Sequence, residues 1–224
     1  MNRNKIIMNK ILKENVKIHL GNRSGRNYKE DPKRLVFSIS RYKFVSKMFQ
    51  NYENVLEVGA GDGFKSAIVK QSCKNLLLSD IDINNQIDFL SNKFFNSNYI
   101  IHDFTKSHLS QKQKFDGIYL LDVLEHINKQ KEKKFLKNIL SSLKKYGTLI
   151  VGMPSIESQK YASRLSKIGH INCKNKSELQ KLLLKYFNVC YMFSMNDEVL
   201  HTGKDEMSNY VIAVANSKKS KNIK

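Results

Sequence analysis

Asn54-Val55-Leu56-Glu57-Val58-Gly59-Ala60-Gly61-Asp62-Gly63-Phe64 is the stretch from which the rest of this 224-residue chain can be read. An apolar run enters a loop with glycine at every second position, and the loop opens a helix. A second apolar run, Leu76-Leu77-Leu78, ends on Asp80, with Asp82 close behind. That spacing describes a βαβ unit in which bare backbone meets a ligand and an acid holds its ribose hydroxyls. It departs from a dinucleotide fingerprint. Gly59 and Gly61 fit G-x-G-x-x-G, but the sixth position is Phe64 and the third glycine arrives one residue early, at Gly63. A diphosphate needs several amides converging on a helix N-terminus, and Glu57 and Asp62 would repel it.

The order apolar-acid-apolar-Gly-x-Gly-x-Gly resembles motif I of the class I S-adenosylmethionine (SAM) dependent methyltransferases, with matches at Glu57, Gly59, Gly61, Gly63 and Asp80. The resemblance implies that this loop, Ala60 included, packs against the methionine end of SAM, and that Asp80, with Ile81 beside it, binds the ribose. Asp103, after an expected third strand at Asn98 to Ile101, falls where the family takes the adenine amino group, and Phe104 flanks the ring. Strand four, Phe115 to Leu120, is followed by Leu121-Asp122-Val123-Leu124-Glu125-His126-Ile127. This segment closely resembles its counterpart in small-molecule methyltransferases such as those acting on ubiquinone precursors, where it borders the transferred methyl group. Leu121 and Asp122 are therefore expected at the cofactor.

Two absences weaken a DNA-methylating role. There is no Asn/Asp-Pro-Pro-Tyr to hold a flipped base nitrogen and no Pro-Cys nucleophile for cytosine. A hydroxyl acceptor gains from a base, and histidine near its ordinary pKa suits that role. His170, in Gly169-His170 before a leucine-rich helix, is the first candidate, because in the resembling enzymes this histidine lies at the active-site mouth. His126 is the second. Tyr28 and Arg41, in the arm and helix before motif I, are candidates to meet the SAM carboxylate or the substrate. His201 lies in a long connection expected to reach over the site. Histidines and cysteines are too dispersed for a zinc cluster, and no paired acids call for magnesium, so no metal is expected.

Composition sets the bounds. Hydrophobic content of 41% and charged content of 26% fit a globular protein with a real core. No apolar run approaches the ~20 residues of a membrane span, and the first residues lack a signal-peptide core. Three cysteines without C-x-x-C spacing read as idle thiols of a reducing cytoplasm. The net charge of +19 would suit an anionic partner. Its lysines are scattered, however, and aromatic residues do not interleave the basic runs as a single-strand binding surface requires. Nucleic acid is thus a less favoured partner than a small molecule, though charge leaves it open.

In chain order, residues 1–50 read as a polar arm, with a short helix over Lys5 to Ile18, and then an amphipathic lid helix from Pro32 to Gln50. Asp31 caps that helix, and Leu35, Ile39, Tyr42, Val45 and Phe49 form its inner face. Residues 51–216 form the SAM-binding domain, with cap elements near 153–176, including helical turns over Ile156 to Ser166. A helix over Lys129 to Lys145 stops at Gly147, and another, capped by Ser177, runs to Tyr186. Residues 217–224 form a disordered basic tail. The fold class is α/β, a doubly wound, mostly parallel seven-stranded sheet with a C-terminal antiparallel hairpin. The resemblance implies the strand order 3-2-1-4-5-7-6. Two other roles stay open: an RNA or protein methyltransferase exploiting the positive charge, and a SAM-binding protein without catalysis.

Overall fold

The structure is a computed structural model that describes residues 17–91, 95–110 and 114–220. Helices α1 (Gly21–Glu30) and α2 (Pro32–Met48) precede β1 (Tyr52–Val58), α3 (Ser66–Lys70), β2 (Cys73–Asp80), α4 (Ile83–Ser91) and β3 (Asn98–Ile101). Then come β4 (Phe115–Leu121), α5 (Lys129–Ser141), β5 (Leu143–Pro154), α6 (Arg164–Gly169) and α7 (Lys176–Leu183). The chain closes with β6 (Phe187–Asn196), β7 (Val199–His201) and β8 (Tyr210–Lys218). One sheet takes the order β3-β2-β1-β4-β5-β8-β6-β7. The pairs from β3 through β5 are parallel, and β8 runs antiparallel to both β5 and β6. Among the described residues no helix is long and apolar enough to cross a membrane.

Strict alternation along the central strands makes the sheet doubly wound. Leu56, Val58, Ile118, Leu120, Leu149 and Val151 face a core closed by Phe135, Leu136, Ile139 and Leu140 of α5 and Leu179 and Leu183 of α7. Val55, Leu76, Leu78, Tyr119, Leu121 and Ile150 face the other core, closed by Tyr42 and Val45 of α2, Phe49 just beyond it, Val69 of α3 and Phe89 of α4. Strands covered on both faces must be apolar at every position, which is why Leu76-Leu77-Leu78 shows no alternation in sequence.

Several boundaries differ from expectation for physical reasons. Helix α5 ends at Ser141 instead of running to Lys145, and Gly147 lies inside β5. Leu143 pairs with Phe115 but Thr148 with Gly117, so Lys144 to Gly147 form an outward bulge, where Lys144 meets Asp116 at 2.6 Å. Asn175, not Ser177, caps α7, through a reciprocal bond pair with Glu178. The stretch expected to be helical over Ile156 to Ser166 is a 3-10 turn, Glu157–Tyr161, followed by α6. The sheet has an eighth strand, because the expected loop around His201 contributes β7 to the edge beside β6. Strand β8 continues into the expected tail, and Lys218 donates to the carbonyls of Leu140 and Leu143. Gly21 to Glu30, expected as arm, is helical. The proposed helix at Lys5 to Ile18 lies almost wholly outside the described residues.

Register brings the site together. Val58 stands opposite Ser79 on one side and Leu120 on the other, and Asp80 stands opposite Ile101. The carboxyl ends of β1, β2, β3 and β4 therefore finish side by side. Strand order reverses at β1, which opens a crevice at that end, the usual ligand position in such sheets.

Candidate active site

A cavity of about 320 Å³ occupies this crevice. Gly59, Asp80, Ile81, Asp103, Phe104 and Asp122 line it, all expected cofactor residues. Gly59 is left-handed at φ +79°, and a Cβ there would sit 2.3 Å from Val123 Cγ2, so only glycine lets the two strand ends approach this closely. Gly63, at φ +71°, serves the packing of the loop instead. A Cβ there would strike Phe89 at 2.6 Å, so the third glycine seats α4 against the loop.

The acids are held by backbone. Asp80 accepts from the amides of Gly61 (2.9 Å), Ile81 (2.8 Å) and Asp82 (3.0 Å), which fixes its carboxylate between the glycine loop and the end of β2. Asp103 accepts from the Thr105 amide and hydroxyl at 2.9 and 2.7 Å. Partial burial pushes its pKa up, but the Thr105 bonds and Lys106 outweigh that and hold it below the ordinary aspartate value. Phe104 is buried, with the His102 ring edge-on at 4.5 Å. Asp122 adopts φ +59°, an uncommon conformation for a non-glycine residue, and its carboxylate takes both bonds from Arg41 Nη1 at 3.1 Å. Burial opposes the Arg41 charge, yet Asp122 keeps the guanidinium above its usual pKa, stacked 3.7 Å from the Tyr210 ring centroid.

Other expected residues lie outside the lining. Glu57 is buried beneath the loop and accepts from the hydroxyls of Tyr42 (2.9 Å) and Tyr119 (2.6 Å), tying β1 to α2 and β4. Ala60 and Leu121 are buried in the α2-side core. The Gly61 carbonyl accepts from Tyr99 at 2.6 Å. Tyr28 is half exposed on α1. His201 sits in β7 at the far edge of the sheet, its Nδ1 accepting from the Gly203 amide.

His126, also in the lining, and His170 come together with ring centroids 5.2 Å apart. His126 Nδ1 bonds the Gly169 carbonyl at 2.8 Å, and His170 Nδ1 bonds Gln159 Oε1 at 2.9 Å. Burial, then the His126 charge, lowers the His170 pKa. Burial pushes the thiols of Cys73 and Cys190 in the two cores up to about 11 and that of Cys173 to about 12.

Three participants are not apparent from sequence. Arg23 lines the cavity from α1, within a stretch whose composition reads as featureless arm. Lys65 is half-buried and bonds Ser38 at 2.9 Å, and desolvation lowers its pKa. Glu125 is fully buried. An acid inside Val-Leu-Glu-His-Ile is the one available signal.

A doubly wound sheet with acids at the ends of its second, third and fourth strands has the layout of a nucleoside-cofactor fold. The family model described as a methyltransferase domain matches residues 26–187. The chain belongs to that family and is a SAM-dependent methyltransferase. Several solved structures share the fold. N-methyltransferase NodS from Bradyrhizobium japonicum WM9, in complex with S-adenosyl-L-homocysteine (SAH), is 16% identical with a TM-score of 0.65, over 88% of this chain and 94% of that one. The plantazolicin methyltransferase BpumL with SAH is 13% identical with a TM-score of 0.65, over 87% and 88%. The methyltransferase domain of bacterial CtHen1-C is 14% identical with a TM-score of 0.66, over 80% and 98%. No curated protein matches the sequence.

Proposed function

We propose that the enzyme methylates a hydroxyl oxygen on a small acceptor, a sugar or cell-surface precursor or a quinone-like metabolite, in the cytoplasm. The cavity lined by Asp80, Asp103-Phe104 and Asp122, with His126 in its wall, carries this reading. Its volume lies within the usual range for a small-molecule ligand, as the cofactor requires. In this reading Asp80 receives the ribose hydroxyls, Asp103 the adenine amino group, and Phe104 the ring. Gly59 faces the methionine end, where Arg23 supplies positive charge from the lining. When bound, SAM supplies a methyl carbon on a sulfonium leaving group.

The chain's own contribution is placement. Holding an acceptor oxygen in line can account for about 7–11 kcal/mol of barrier in favourable cases. Asp122 and Arg41 lock each other at the end of β4, and His126 and His170 stand at the acceptor end. Each imidazole has Nδ1 engaged, which leaves Nε2 to meet the acceptor. Resemblance of Asp122 to Ile127 to the ubiquinone-precursor enzymes supports an oxygen acceptor. Cys73, Cys173 and Cys190 are all free thiols, which fits a reducing compartment.

A polyanionic acceptor such as RNA is the second reading. It is favoured by Lys129, Lys131, Lys133 and Lys134, exposed on α5 just beyond His126, and it requires affinity that falls steeply with salt. The first reading is tested by calorimetry with SAM. Asp80→Ala is expected to weaken binding by about 1–3 kcal/mol through lost hydrogen bonds. Unchanged affinity in that variant would remove Asp80 from the site.

A further inference from the structure

Glu125 presents a problem that the methyltransferase reading leaves unsolved. It is 0% exposed, and neither carboxylate oxygen has a hydrogen-bond partner. A carboxylate out of water and without partners is costly unless something charged meets it. Arg41 is near enough to feel it, but the guanidinium bonds Asp122 instead. Two carboxylates thus share one cation, and the deeper of the two has no bond.

The groups that face Glu125 Oε1 are imidazoles. His126 Nε2 lies 4.0 Å away, and one donor atom from each of Glu125, His126 and His170 falls within 4.8 Å of the others. Both rings are held in one orientation. His126 Nδ1 donates to the Gly169 carbonyl, and His170 Nδ1 donates to Gln159 Oε1. A ring that gives its Nδ1 proton to an oxygen carries its lone pair on Nε2, the arrangement by which outer partners orient metal-bound histidines. The loop that brings His170 is pinned in turn, since the Asn172 amide donates to the Glu125 carbonyl at 2.9 Å.

We propose that Glu125, His126 and His170 bind one divalent first-row transition ion, such as Mn²⁺, Fe²⁺, Co²⁺ or Zn²⁺, at the acceptor end of the cavity. Two imidazoles and a carboxylate suit these ions better than the all-oxygen shells of Mg²⁺ or Ca²⁺. Neighbouring donors about 2.0–2.2 Å from one tetrahedral or octahedral ion lie ~2.8–3.6 Å apart, so closing the trio takes side-chain shifts of roughly an ångström. Three protein ligands leave positions open, and His126 already lines the cavity.

The role of the ion, though not its binding, rests on the proposed O-methylation. An acceptor hydroxyl in an open position has its pKa lowered by the ion. Its proton leaves to water as the oxygen–methyl bond forms, and the carbon–sulfur bond of the sulfonium breaks to give a neutral thioether. In this proposal His126 and His170 act as ligands where the sequence suggests bases, and a metal stands where the sequence suggests none.

The test uses tag-free, chelator-stripped full chain with Mn²⁺ followed by paramagnetic resonance and Co²⁺ followed by visible absorption. One ion per chain is expected, with nitrogen ligation in the Co²⁺ spectrum. His170→Ala and Glu125→Gln should abolish binding, and Gln159→Leu should weaken it by about 10–100-fold. Glu125→Gln replaces the unpartnered buried carboxyl with a neutral amide, so its metal-free melting temperature should equal or exceed that of the parent, while Mn²⁺ should raise only the parent's. Absence of a stoichiometric ion, or binding that survives His126→Ala with His170→Ala, overturns the proposal. SAM calorimetry separates the two readings: SAM binding by a chain that takes up no ion sinks the metal alone, and absence of SAM binding in a chain that does take up the ion sinks the SAM-site reading alone.

Discussion

Glu57 is buried where motif I would place a ligand-facing acid, and its carboxylate is instead satisfied by two phenols. Burial pushes its pKa up, and the hydroxyls of Ser66, Tyr119 and Tyr42, with the Lys65 charge, pull it back only in part. A carboxyl whose folded pKa is raised holds its proton more tightly when folded. Its contribution to stability is therefore full below the unfolded value of about 4.3 and is lost as pH rises through the folded value. Tyr119→Phe removes one donor and leaves a buried oxygen unpaired, at a cost of about 1–3 kcal/mol near neutral pH. The same change raises the folded pKa of Glu57, so the deficit should shrink as pH approaches 4. Urea unfolding of parent and variant across that range measures it, and a deficit independent of pH would show that Glu57 is not the group responsible.

Helix α1 depends on neighbours more than on its own sequence. Gly-Asn-Arg-Ser-Gly-Arg-Asn is poor in helix formers, and no side chain caps its start. Two carboxylates from elsewhere take over: Asp88 of α4 accepts from the Asn22 amide at 2.8 Å, and Asp62 of the glycine loop accepts from the Ser24 amide at 2.6 Å and hydroxyl at 2.9 Å. Negative charge at a helix N-terminus is favourable. Asp62→Ala should therefore release α1 selectively, costing about 0.5–2 kcal/mol as lost caps do. Amide exchange at Arg23 to Arg26 should quicken while β1 and β4 stay protected, and uniform loss of protection would refute the selective role. This dependence also marks the limit of legibility. Strands β1 to β4 can be read because strands buried on both faces and their terminal acids are local signals. The strand at His201 and the cap at Asn175 rest on near neighbours, the Asn196–Val199 hairpin pair and Glu178, whereas the helicity of α1 comes from partners distant in sequence, Asp62 and Asp88. The bulge at Lys144 to Gly147 is hidden likewise, because it is defined by register against Phe115 and Gly117. Glu125, His126 and His170 can each be seen in the sequence, but their convergence is made by the Gly169–Asn172 loop folding back onto β4's end.

At the scale of the whole molecule, 39 basic against 20 acidic residues leave a charge of +19. The ion pairs engage only part of it: Arg26 with Glu30, Lys74 with Glu53 and Lys106 with Asp103 are at the surface, where such pairs contribute little. Lys174 with Glu132 is nearly buried and is screened less. Self-repulsion of the like charges destabilises the compact state. Added salt shortens the Debye length from about 10 Å at 0.1 M to about 3 Å at 1 M, which weakens repulsion and surface attraction together. Repulsion is the larger sum here, since the basic excess extends over nearly every element. The melting temperature should therefore rise as chloride increases from low to moderate concentration. A fall would mean that specific ion pairs outweigh the net charge. The same series separates the two acceptor classes. With lysines dispersed, single-stranded RNA should meet few phosphates at once and its affinity should decline gently with salt, at about −0.7 per phosphate contacted in a log–log plot. A slope several times steeper would require a concentrated basic track, for which the exposed lysines of α5 beside His126 are the place to look, and would transfer the acceptor assignment from a small molecule to RNA.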